Sequence, residues 1–205
     1  MFKKFFASTI FLLMFAFAAQ TSAMTFYSPE TIGSVSLGGR DGLKIDGATE
    51  INAESDGNAY LRGFAIFGNG LYLHFDNTTI ADYNAGSWFG GSDKNNSVHY
   101  YVFEGYTKIY QIPNDEGLPL YLLSTEFGAG NVTMVIGERD GQWVTFFNLR
   151  DGKKYFALSP ECYIKNFHTD GDTIIFTFEN FNTKEISELF YTWNSATKNF
   201  GVQKI

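Results

Sequence analysis

Polar and apolar positions alternate along most of this chain with a period of two. In Thr173-Ile174-Ile175-Phe176-Thr177-Phe178-Glu179, one set holds Ile174, Phe176 and Phe178 and the other Thr173, Ile175, Thr177 and Glu179. Successive side chains of a strand point to opposite faces, so the pattern predicts a half-buried strand. Leu189, Tyr191 and Trp193 repeat it, with Glu188, Phe190 and Thr192 on the other face. Residues 132–136 are apolar in both sets, which predicts a strand buried on both sides. No segment beyond the N-terminus keeps helical spacing for three turns, and residues 183–190 fit a helix and a strand equally well.

Turn signals punctuate the runs at Asn69-Gly70, Glu104-Gly105, Asp140-Gly141, Asp151-Gly152 and Asp170-Gly171. Glycine, and to a lesser degree Asn and Asp, accept the positive φ that tight hairpins demand. The expectation is an all-β fold, an antiparallel meander of about a dozen short strands, sandwich-like or incomplete-propeller-like. Residues 103–112, 138–147 and 193–202 echo one another as an aromatic approach, a polar turn and a second aromatic run. Their uneven spacing favours a plain meander over a duplicated module. The aromatics of these hairpins, Trp143 and Trp193 among them, are expected to fill the core.

One segment breaks the rhythm. Residues 77–97 read as a long loop, yet they hold Tyr83, Trp88 and Phe89 among Gly86, Gly90 and Gly91. Loops of that length in compact domains are uncommon and often functional. Tyr83, Trp88 and Phe89, with Asp93 as a polar neighbour, are therefore the expected ligand-binding residues. Residues 24–57 are more polar and glycine-rich, and predict edge strands or a mobile lead-in.

The N-terminus changes the setting of all this. Lys3 and Lys4 precede an apolar stretch over residues 5–19, and Thr21-Ser22-Ala23 supplies small residues at a cleavage point. That is the grammar of a secretory signal peptide, and its apolar stretch is shorter than the roughly 20 residues of a membrane-spanning helix. Removing 23 residues from 205 leaves 182, a single β domain over residues 24–205 with room for a real core. With the two leader lysines gone, 13 basic residues face 22 acidic ones. This balance, without basic clusters, argues against nucleic acid or an anionic membrane as partner, and no stable membrane insertion is expected after cleavage. Cys162 is the single cysteine, so no internal disulfide forms and the core must hold the fold; it reads as a small buried hydrophobe. An exported bacterial protein, periplasmic or extracellular, fits this usage.

Candidate chemistry is sparse. Asn52, Glu54 and Asp56 resemble the start of a calcium loop, with Gly57 at the sixth place, but the twelfth place holds Gly63 where a bidentate carboxylate belongs. A solvated acidic turn is the expectation, and no metal. His74, His99 and His168 are not at ligand spacing within a strand, and no G-x-S-x-G occurs. Residues 38–42 are glycine-rich but lack a following helix to cradle phosphate. Glu126, Glu138 and Asp140 are near enough in sequence to raise carboxylate-based glycan hydrolysis. The expectation is an exported, non-enzymatic binding protein without cofactor or catalytic residues, whose partner is a glycan or another protein. A carboxylate-based glycan hydrolase and an inhibitor of a secreted enzyme are the alternatives.

Overall fold

A computed structural model describes residues 23–37, 43–55, 60–67, 70–79, 87–93, 96–102, 105–127, 130–148 and 162–204. Among them are fifteen strands and no helix, and every strand pair is antiparallel. The first sheet contains β1 (Glu30–Leu37), β2 (Leu43–Asp46), β8 (Gly105–Gln111), β9 (Leu120–Phe127), β10 (Gly130–Arg139) and β11 (Gln142–Asn148), in the order β11-β10-β9-β8-β1-β2. The second is a five-stranded meander of β3 (Ala48–Ser55), β4 (Tyr60–Phe67), β5 (Tyr72–Thr79), β6 (Ser87–Asp93) and β7 (Asn96–Val102). The third is a four-stranded meander of β12 (Cys162–Asp170), β13 (Thr173–Asn180), β14 (Ile186–Asn194) and β15 (Asn199–Lys204).

The side-chain period of two shows how they stack. On β9, Tyr121 and Leu123 face one cluster while Leu120 and Leu122 face another; on β10, Met134 and Ile136 oppose Val135 in the same way. The first cluster closes over Ala65, Phe67, Leu71 and Leu73 of the five-stranded sheet and its β4–β5 turn. The second closes over Ile174, Phe176, Leu189, Tyr191 and Trp193 of the four-stranded sheet. The six-stranded sheet is thus the middle of three layers, and residues 133–136 are buried, as their two-faced apolar run predicts.

The echoed hairpins divide. Asp140 and Gly141, at φ 54° and 75°, form the tight β10–β11 turn, and residues 195–198 join β14 to β15. Their aromatics are in the core: Phe147 stacks on Tyr191 at 3.8 Å, and Trp193 meets Phe146 and Phe200 edge-on. Trp143 is partly buried and stacks on Tyr121. The echo at residues 103–112 is different. Gly105 begins β8, but β7 belongs to another sheet, so the chain changes layers there and no hairpin forms. Residues 183–190 resolve as a turn and the start of β14.

The N-terminal part is more than a lead-in. β1 lies inside the middle sheet between β8 and β2, while β2 and β3 are edge strands. Ahead of β1, Met24 and Phe26 are buried in the second cluster, and Phe26 bridges to Asn114. The Asp151-Gly152 turn and the glycine-rich residues 38–42 lie outside the described residues.

Candidate functional site

The two outer faces of the stack differ. On the five-stranded sheet, Ala65 and Phe67 of β4 and Leu73 of β5 point into the core, so Phe64, Ile66, Tyr72 and His74 take the outer face. All four are half-buried. Phe64 is opposite His74 and Ile66 opposite Tyr72, and the Phe64 and Tyr72 rings stack at 5.4 Å and 22°. On the next strand outward, exposed Asn52 and Glu50 stand opposite Phe64 and Ile66. An aromatic centre with a polar margin is the anatomy of a recognition surface.

This arrangement revises the expected loop. Residues 77–79 belong to β5, 87–93 are β6 and 96–97 begin β7, so residues 77–97 are not one structureless loop. Trp88, Phe89 and Asp93 are strand positions, paired with Tyr101, Tyr100 and Asn96. Tyr83 lies outside the described residues. Gly90 is opposite both His74 and His99, which assigns Trp88, two residues away, a position on the same face as Phe64 and Tyr72. Phe89 and Asp93 take positions of the other face, so the three described residues do not share one face. The sequence signal that could have found Phe64, Ile66 and Tyr72 is apolar character on both faces of β4 and β5, because an outer layer can bury only one.

The outer face of the four-stranded sheet carries an ion cluster beside the cross-strand apolar pair Ile175 and Phe190. Glu179 is only 8% exposed, with Lys165 Nζ at 2.6 Å and Lys184 Nζ at 3.4 Å. The hydrogen bond from Lys165, then that from Tyr163, hold its carboxyl well below the usual range, at about 2. The same carboxylate raises the Tyr163 hydroxyl and the Lys165 ammonium. A carboxylate so fully satisfied is a structural anion.

Of the carboxylates raised for hydrolysis, Glu126 and Glu138 stand at strand positions far apart along the sheet. Glu126 is opposite Asn131 near the start of β10, whereas Glu138 is seven residues further along it, about 23 Å away at strand rise. A glycosidase needs its two carboxyls about 5–9.5 Å apart. Asp140 is near Glu138 but is ion-paired with Lys198, which lowers its pKa.

Asn52 and Glu54 lie along extended β3 instead of wrapping a cation, and Asp56 lies outside the described residues. Among the described residues, no group of three or more His, Cys, Asp or Glu is placed to hold a metal ion. Cys162 is a free thiol, partly buried where full burial was expected, at the start of edge strand β12. No helix of the described residues is long and apolar enough to cross a membrane. No protein-family model, curated protein or solved structure matches this chain.

Proposed function

We propose that this is an exported, non-enzymatic binding protein of the cell envelope or extracellular space, and that it meets its ligand on the outer face of the five-stranded sheet. The observation that carries the reading is the Phe64–Tyr72 pair with Ile66 and His74 on a face that no other sheet of the described residues covers. Rigid aromatic rings give contact area at low entropic cost, and a sheet presents them in a flat row. A flat aromatic row edged by Glu50 and Asn52 suits a glycan, whose apolar ring faces stack while its hydroxyls reach polar neighbours. A protein partner anchored on the same aromatics is the other ligand class for this surface.

The test is a thermal-shift screen of the exported protein against cell-wall fragments and oligosaccharides. At a hundredfold excess over Kd, ligand stabilises by about 2.7 kcal/mol, a rise of roughly 5–10 °C for a chain of this size. The rise should be saturable and should vanish in Tyr72→Ala, with the melting of the free protein little changed. A flat screen rejects the glycan, and the protein class then rests on a cross-link placed at position 72 in whole cells. A shift that survives Tyr72→Ala and Phe64→Ala moves the site off this face.

A further inference from the structure

The first described residues form a strap. Ala23 is exposed, but Met24 is 1% and Phe26 4% exposed. The Thr25 N–H donates to Asp115 Oδ1 at 2.9 Å, and the Thr25 carbonyl accepts from the Asp115 N–H at 3.1 Å. The Phe26 N–H donates to the Gly171 carbonyl at 2.7 Å, and the Tyr27 N–H to the Pro113 carbonyl at 2.8 Å. The Tyr27 carbonyl accepts from Thr169 Oγ1 at 3.0 Å, and the Phe26 ring stacks on Phe200. Four residues thereby tie the β8–β9 loop to the end of β12, the β12–β13 turn and β15.

We propose that the Ala23–Met24 bond can be cut only while this strap is undocked, and that the cut then sets the new α-ammonium beside Asp115. The inference rests on the export reading above. An endopeptidase acts on accessible backbone on both sides of the bond it cuts, and burial or hydrogen bonding of that backbone withholds it. Here the residue after the bond is buried, and the next has both backbone groups engaged. Hydrolysis by a leader endopeptidase adds one water, leaving a carboxylate on Ala23 and an ammonium on Met24. Asp115 holds the Thr25 N–H in the docked strap, so docking after the cut brings the new cation to this carboxylate. Docking protects the bond, and cutting strengthens docking. The two events therefore have a fixed order, cleavage first.

The experiment uses the full chain. Refolded protein is incubated with a leader endopeptidase and followed by intact mass, beside full chains carrying Phe26→Asp, which cannot seat the strap, or Asp115→Ala, which keeps the apolar contacts. We expect the unaltered chain to survive at least about tenfold longer than Phe26→Asp, with Asp115→Ala between them, and the same product from all three. Equal rates in all three overturn the shielding. For the ammonium, Asp115→Asn should lower the Tm of the cut protein by about 2 °C and that of the uncut protein by less. Equal drops overturn the pairing. Cleavage at another bond, or none in any chain, overturns the proposal as a whole. Correct cleavage of a protein that cell fractionation finds in the cytoplasm overturns the export reading alone.

Discussion

Glu179 shows how one side chain ties stability to pH. Its folded pKa of about 2 lies below the ordinary value of 4.5, with the Lys165 hydrogen bond the leading cause. A carboxyl depressed in this way contributes its full stability above its unfolded pKa and loses it as pH falls through the folded one. The Tm should therefore decline from about pH 4.5 down to about pH 2, and Glu179→Gln should flatten that limb in a melting series across those pH values. Gly33 sets a steric limit of another kind. A Cβ there would meet the Asp46 carbonyl oxygen at 2.3 Å and the Phe67 ring at 2.5 Å. Gly33→Ala must push β1 away from both neighbours at a register shift, which should cost about 1–3 kcal/mol in urea titration. Neither role was readable from sequence, because a glycine beside Ser34 or a glutamate ending a strand gives no sign of what packs against it.

At the level of strands and turns the sequence was most legible. The alternation over residues 173–179 became β13, the Leu189-Tyr191-Trp193 stripe became the core face of β14, and Asp140-Gly141 made its hairpin. These succeed because the period of two and the demand for positive φ are local properties. Gly141→Val should cost about 1–2 kcal/mol by forcing a β-branched residue to φ 75°, detectable as a lowered urea midpoint with an unchanged slope. Glu104-Gly105 carries the same kind of signal, yet the chain changes sheets there, because which strand will pair next is decided by distant residues. The long-loop expectation failed for a related reason. Gly90 and Gly91 read as loop formers, but as strand positions they stand opposite His74 and Leu73. The proposed binding face stayed hidden as well, since a run such as Phe64-Ala65-Ile66-Phe67 reads as plain core until one knows that its sheet is an outer layer.

For the molecule as a whole, the middle sheet is shared property. Leu122 belongs to one cluster and Leu123, its chain neighbour, to the other. Leu122→Ala and Leu123→Ala should each cost about 2–5 kcal/mol, against total stabilities of about 5–15 kcal/mol for folded domains. Because both cavities are cut into one sheet, either should lower the melting of all three layers together. The fluorescence of Trp143, beside the first cluster, and of Trp193, within the second, reports the two sides separately in single-tryptophan variants. Coincident transitions are expected; separated ones would show that the outer sheets melt independently. The sheet order carries a last consequence, for the time course of folding. β1 pairs with β8, with the whole five-stranded meander between them in sequence, so the middle sheet cannot close until that long excursion has been made. Loop closure of this span is entropically costly, and topologies rich in non-local pairing are slow folders. If the protein is exported as proposed, a chain threaded through a membrane from its N-terminus keeps the β8 edge of β1 open throughout that interval.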